Sequence, residues 1–441
     1  MVVTHPPRTT ATAAGTTAET LRPLVAVLLG DDLPLRVELW DGSHLGPSAP
    51  PAPATLRLRS PDALARVLWR PDELGLARAY VAGDLDIDGD IFGALAAMLP
   101  TIRRGMALGW SDAPAVLRSA HRLGLLRRPP AAPPEEARLA GGRHSIRRDA
   151  AAIGHHYDVG NDFYRLVLGP SMTYSCARYV DGRPDLTAAQ DAKHELICRK
   201  LGLADRPGMR LLDVGCGWGS MAIHAARHHG ASVVGITISR PQADLARKRV
   251  AEAGVTERVD IRLQDYRQLD GERFDAISSI GMSEHVGARR LDEYYGQLRA
   301  ALVPHGRLLT HAISSVGGSL LGHRSFIGRY VFPDGELIDV GESVLAMERA
   351  GFEVRDVESL REHYSRTLRA WVANLDAAWD RAVELVGARR ARVWRLYMAG
   401  SAVGFAADRI NVHQVLGVVP AADGSSGLPP TRRAWESAPA G

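Results

Sequence analysis

The chain has almost no lysine. Of its 54 basic residues only Lys193, Lys200 and Lys248 are lysine, and the rest are arginine. Such a bias, with abundant alanine, is the mark of a GC-rich genome rather than of an activity. Guanidinium clusters nevertheless suit phosphate and keep an anionic membrane surface open as a partner. Cysteine is scarce too. Cys176, Cys198 and Cys216 are odd in number and lack metal-ligand spacing, which excludes a disulfide framework and predicts a reduced, cytoplasmic setting. No apolar run approaches the ~18 residues of a spanning helix. The N-terminal MVVTHPPRTTATAAGTT has no apolar core, so no secretory signal is expected there. Contact with a membrane is therefore expected from its surface. Net charge is only +4, and no basic stripe with interleaved aromatics occurs, which argues against nucleic acid.

At 441 residues the chain has room for two domains. Residues 1–20 and 421–441 are rich in Ala, Thr, Pro, Gly and Ser and are expected to be disordered tails. A first unit is predicted over 21–125. It holds strand-like VELWDG and TLRLRS segments, then PDALARVLWRPDELGLARAYVAGDLDIDG, read as a helix pair closed by an acidic turn. The stretch 126–149, beginning LRRPPAAPPEEARLAGG, has linker composition. Over 150–420 short β-type runs (MRLLDV, SVVGIT, VDIRLQ, FDAISS, GRLLTHAIS) alternate with helical segments at 219–229, 240–253 and 291–303. That alternation predicts a doubly wound α/β domain. A Trp- and Arg-rich helical region and a last strand near VHQVLGV follow. Trp371, Trp379 and Trp394, with Leu396 and Met398, read as core of those late helices.

The most informative stretch is LLDVGCGWGS (211–220), where an apolar run ends in an acid and three glycines follow. Gly215, Gly217 and Gly219 let a ligand approach backbone N–H groups closely. A dinucleotide fingerprint would read G-x-G-x-x-G/A, but Ser220 holds the last position. Asp213 can receive an ammonium, and no basic residue stands near to neutralise a pyrophosphate. The loop therefore favours S-adenosylmethionine over a dinucleotide. The acid usual at the end of the second strand is missing, with Thr237 in its place, so Thr237, Ser239 and Gln242 would serve as neutral partners. His224 and His228, spaced i to i+4 beside His229, have no acidic partner close in sequence. They read as a surface helix face, and no metal is expected.

Seven ordered segments resemble one family, the cyclopropane fatty acid synthases and mycolic acid cyclopropane synthases. They are HYDVGNDFYRLVLGPSMTYSCARY (156–179), LLDVGCGWGS, GITISRPQ (235–242), SSIGMSEHVG (278–287), LLTHAIS (308–314), RYVFPDGEL (329–337) and HYSRTLRAW (363–371). ELGLARAYVAGDLDIDGD (73–90) also resembles the N-terminal domain of the phospholipid-acting members. The resemblance implies a class I (Rossmann-like) methyltransferase fold behind a smaller N-terminal domain. It implies methyl transfer from S-adenosylmethionine to the cis double bond of an unsaturated phospholipid acyl chain, giving a cyclopropane through a carbocation deprotonated by bound bicarbonate. The positions matching the bicarbonate ligands are Cys176, Glu284, His311, Ile313 (through backbone) and Tyr364. The donor site carried over is Tyr174, Ser175, Asp213, Gly215, Gly217, Thr237, Ser239 and Gln242, with Asp265 and Tyr266 near the adenine.

An alkene carries no acidic proton, so no side-chain base is needed to activate it, whereas the cation must be kept from water. Two enzymatic alternatives stay open. The same cation could yield a methylene or methyl-branched chain, or the fold could serve an N- or O-methyltransferase of a soluble metabolite. A non-catalytic lipid-binding relative is a third. The resemblance also implies pairing of phospholipid-acting members through the N-terminal domain, hence a possible homodimer, peripheral at the inner membrane surface. HRLGLLRR (121–128) and GGRHSIRRD are candidate contacts with anionic lipid, and SSVGGSLLGHRSF (314–326) is a candidate lid.

Overall fold

The computed structural model describes residues 16–29, 33, 35–47, 54–104, 113–137, 159–180, 185–269, 271–320, 325–333 and 335–436. GGRHSIRRD, most of the expected N-terminal tail, the start of the HYDVG segment and residues 321–324 of the glycine-rich stretch lie outside them. The chain forms two units, residues 1–134 and 135–441. Their boundary falls inside the stretch expected to be a linker.

The first unit runs α1 (Thr17–Leu29), β1 (Arg36–Glu38), β2 (His44–Leu45), β3 (Ala54–Leu58), α2 (Pro61–Trp69), α3 (Glu73–Ala82), β4 (Leu85–Gly89), α4 (Ile91–Arg104) and α5 (Ala113–Arg122), with sheet order β2-β1-β3-β4. The helix pair starts where capping chemistry places it. Ser60 Oγ accepts from Asp62 N–H ahead of Pro61, and Asp72 accepts from Gly75 N–H. The acidic turn expected at DLDIDG is instead strand β4, antiparallel to β3. Its period of two explains the difference. Leu85 and Ile87 point into the core, while Asp84, Asp86 and Asp88 face outward onto Arg66, Arg59 and Arg57 at 2.8, 2.8 and 2.9 Å.

The second unit opens with α6 (Asn161–Leu168) and α7 (Leu186–Leu201). It continues through β5 (Arg210–Val214), α8 (Ser220–His229), β6 (Ser232–Thr237), α9 (Arg240–Glu252), β7 (Val259–Leu263), β8 (Phe274–Ile280), α10 (Ser283–Val286), α11 (Leu291–Ala300) and β9 (Leu302–Ser314). After β10 (Ser319–Leu320), α12 (Phe326–Tyr330), β11 (Glu336–Leu337) and α13 (Val340–Arg349) come β12 (Glu353–Ser359), α14 (Arg361–Ala377), α15 (Trp379–Val386), α16 (Ala388–Ala406), β13 (Asn411–Val418) and α17 (Arg433–Glu436).

The main sheet has the order β12-β13-β9-β8-β5-β6-β7. Strands β5 to β9 are mutually parallel, and β13 is antiparallel to both its neighbours. This α/β architecture buries β5 on both faces. Leu211 joins the core built with α7, α8 and α9, and Leu212 the one built with α11 and α13. The strand order reverses beside β5, so the crevice between β5 and β8 is where such sheets bind ligands. Trp371 and Trp394 are buried in α14 and α16, whereas Trp379 is only partly covered. The expected C-terminal tail is a correction. Within it Leu428 packs against the core beside α7, and Trp435, 5% exposed, belongs to that core. Its one aromatic ring sits in a polar, Gly/Ser-rich stretch, too sparse a signal to read from composition. The candidate lid contains strand β10, which pairs with β11.

Candidate active site

Strand β5 delivers Asp213 to the sheet edge, and the three glycines then turn the chain into α8 with φ of 72°, 54° and 79°. At Gly217 an added Cβ would meet nothing within 4 Å, so this backbone faces open space. At Gly215 it would come 2.4 Å from Met282 Sδ. The loop borders a cavity whose wall includes Tyr174, Ser175, Asp213, Gly215 and Gly217. Thr237 at the end of β6, Gln242 in the first turn of α9, and Asp265 and Tyr266 after β7 also line it. Ser239 does not line it. It precedes α9, and its N–H donates to Thr237 Oγ1 at 3.2 Å. Thr237 in turn donates to Gln242 Oε1 at 2.9 Å, so the missing acid is replaced by a neutral pair locked together.

Asp213 is buried. Its Oδ1 accepts from Ser278 Oγ at 2.7 Å, and its Oδ2 has no partner. Burial pushes the carboxyl up to about 6, against the pull of Ser278 and Lys193. An unpartnered buried carboxylate oxygen on a cavity wall fits the ammonium end of an amino-acid ligand. Asp265 is more committed. Burial raises its carboxyl, but two bonds from Arg267, at 2.8 and 2.7 Å, and the Arg267 N–H outweigh that and hold it below the usual range.

The five positions read as an anion site lie apart from the cavity lining, immediately behind it. Gly281, on the cavity wall, donates its N–H to the carbonyl of His311 at 2.8 Å, and Ser175 is followed in sequence by Cys176. Glu284, on α10, accepts the Ile313 N–H through Oε1 at 2.7 Å. Ile313 therefore meets the site through Glu284. Cys176 Sγ lies 3.6 Å from the Leu360 carbonyl, which also accepts the Tyr364 N–H at 3.0 Å. His311 is two residues before Ile313 on β9, hence on the same face.

Burial dominates the electrostatics here. It pushes Glu284 up to about 7, the Cys176 thiol well above its ordinary range, and His311 down to about 3. Glu284 Oε2 and His311 Nε2 are both buried without a partner. The two orphans are linked through Ile313, whose N–H binds Glu284 two residues after His311, and buried orphans of this kind fit a compact oxyanion held out of water. Tyr364, whose N–H shares the Leu360 carbonyl with Cys176, belongs to an aromatic cluster. Tyr364 packs on Phe405 (4.6 Å) and Trp371 (6.1 Å), Trp371 on Tyr174 (5.4 Å), and Tyr174 OH meets Tyr397 OH at 3.0 Å.

Sequence reasoning missed Lys193, Tyr397 and Gln414. Lys193 Nζ donates to Ser175 Oγ at 3.1 Å, and burial lowers its pKa to about 7. The signal was present in composition, since a chain that writes nearly every cation as arginine keeps two of its three lysines, Lys193 and Lys200, wholly buried. The histidines of α8 are also corrected. His228 is exposed as expected, but His224 and His229 turn inward, where Glu195 of α7 contacts His229 at 2.9 Å and His224 at 3.5 Å. The acid missing near them in sequence is supplied by the neighbouring helix.

A mixed sheet with a parallel core, a glycine loop beside an open carboxylate and a neutral β6 terminus are the features of a class I methyltransferase. The sequence model of the mycolic acid cyclopropane synthetase family matches residues 144–415. A probable fatty acid methyltransferase of Mycobacterium tuberculosis is 42% identical over 406 residues, spanning 90% of this chain and 93% of the relative. The cyclopropane-fatty-acyl-phospholipid synthase of Escherichia coli K12 is 36% identical over 370 residues, spanning 83% and 88%. A solved structure of mycolic acid cyclopropane synthase CmaA1 complexed with SAH and CTAB aligns with a TM-score of 0.57 at 34% identity, covering 61% of this chain and 98% of that one. The chain belongs to the cyclopropane synthase family of S-adenosylmethionine-dependent methyltransferases.

Proposed function

We propose that this methyltransferase methylates the cis double bond of unsaturated phospholipid acyl chains and closes a cyclopropane ring, with bicarbonate held by Cys176, Glu284, His311, Ile313 and Tyr364. The observation that carries the reading is the pair of buried polar atoms without partners, Glu284 Oε2 and His311 Nε2. S-adenosylmethionine supplies an electrophilic methyl group, and bicarbonate a base small enough to work in a closed site. The chain's own residues do the rest. Asp213 takes the donor's ammonium, and the Gly217 backbone lets the donor lie close. Tyr174, Tyr364 and Trp371 exclude water and turn π-electron density toward developing positive charge. Glu284, near neutrality in its carboxyl, can accept a proton or donate to an oxyanion. A soluble heteroatom substrate would need none of this enclosure. The lipid itself is expected to be met at a membrane surface, where residues 117–128 expose Leu117, Leu126, Arg118 and Arg122 together.

Purified protein would be given S-adenosylmethionine with a trideuterated methyl group and vesicles of oleoyl phospholipid, and the released acyl chains weighed. The expected product gains one carbon, retains two deuteriums and resists mild hydrogenation. Glu284→Gln is expected to abolish turnover with donor affinity intact. A hydrogenation-sensitive product would redirect the reading to methylene transfer at the same site. No acyl product would end the lipid assignment.

A further inference from the structure

A buried polar chain runs from α7 across β13 to His311. Lys200, 0% exposed, places Nζ 2.8 Å from Asp356, 2.5 Å from Glu358 and 3.0 Å from Gln414 Oε1. An ammonium only donates, so the Gln414 amide must turn its oxygen toward Lys200. The flipped amide would set NH2 against NH3+ with no acceptor between them. The amide nitrogen of Gln414 then faces His311 Nδ1 at 3.4 Å, and that nitrogen must accept. Burial, with Lys193 and Lys200 near, keeps this imidazole neutral with a single proton. The proton is left for Nε2, the ring atom that is buried without a partner.

We propose that Lys200 and Gln414 are positioning residues that fix His311 as its Nε2–H tautomer, so that the ring presents an N–H donor to an anion beside Glu284. The purpose of that N–H rests on the bicarbonate reading, whereas the tautomer is a property of the chain alone. Lysine suits the post, because a compact point charge fits a closed pocket shared by three acceptors, where a planar guanidinium would not.

The test has two readouts. In protein labelled with ring-15N histidine, the His311 signals are assigned by their loss in His311→Gln. The wild type is expected to show a protonated Nε2 and a bare Nδ1, and a protonated Nδ1 overturns the proposal. Gln414→Leu, which keeps volume and leaves Lys200 on two carboxylates, is expected to populate both tautomers. Gln414→Met serves the same purpose should the leucine variant fail to fold. Losing a hydrogen bond to an anion should then raise KM for bicarbonate roughly tenfold. The Kd for S-adenosylhomocysteine should stay within about twofold, since Gln414 touches no donor ligand and only far smaller differences remain. A shifted tautomer with unchanged bicarbonate KM overturns the donor role. Wild-type turnover indifferent to bicarbonate would instead overturn the anion site, with the tautomer still decided by the spectra.

Discussion

At the scale of single residues, the proposed donor site turns on one carboxylate. Asp213 keeps Oδ2 open in a buried wall, and burial sets its pKa at about 6. A ligand ammonium needs the ionised form, so affinity should weaken as pH falls through that value and level off above it. Asp213→Asn removes a charge-assisted bond worth about 1.5–3 kcal/mol, or roughly ten- to a hundredfold in Kd. Calorimetric titration with S-adenosylhomocysteine between pH 5 and 8 should show both the loss and a flattened pH profile in the variant. A wild-type profile already flat across that range would remove Asp213 from the ammonium site. The proposed site residues that the sequence singles out are those tied to a motif, such as Asp213 in LLDVGCGWGS and Cys176 in TYSCARY. Lys193 and Gln414 were not, because their meaning lies in partners, Ser175 and His311, that only the folded chain brings within reach.

At the scale of elements, periodicity was readable and context was not. The β-type runs of the second unit became β5, β6, β7, β8 and β9, since each is apolar and bounded by turn residues. DLDIDG misled because three aspartates outweigh two apolar residues in composition, yet alternation decides the structure. His224 and His229 of α8 misled for the opposite reason, as their acid comes from α7. Helix α5 and the residues after it carry a further expectation. Leu117 and Leu126 are 54% and 48% exposed beside exposed Arg118, Arg122 and Arg128, a pairing of apolar and basic surface that suits an anionic bilayer. Leu117→Gln with Leu126→Gln should lower sedimentation with phosphatidylglycerol vesicles severalfold, leaving thermal stability within about 1 °C because exposed substitutions shift stability little. Equal sedimentation of variant and wild type would rule out this surface as a membrane contact.

At the scale of the whole molecule, the second unit places many ionisable groups inside its cores, and the sign of its acid response follows. His224 and His285 are depressed to about 4 and His311 to about 3, each chiefly by burial, and His194 is lowered in the same way. Between those values and 6.5 the unfolded chain binds protons that the folded one refuses, so stability is lost as pH falls. Glu284 and Asp213, raised by burial to about 7 and about 6, act oppositely. They hold protons when folded that the unfolded chain has released, which favours the fold as pH drops toward 4.5. His363 and His413 are lowered by burial too, and Asp191 is raised, so six imidazoles oppose three carboxyls and the imidazoles prevail. Lys193, lowered to about 7, adds a second limb of the same sign, with stability rising from pH 7 toward 10. Scanning fluorimetry of the ligand-free protein should therefore give a Tm that falls steadily from pH 6.5 to pH 4.5. Replacing His194 or His224 by Gln should flatten that fall, since each removes one proton from the difference between the two states. A Tm that rises on acidification would mean that the carboxyls, not the imidazoles, govern the interior.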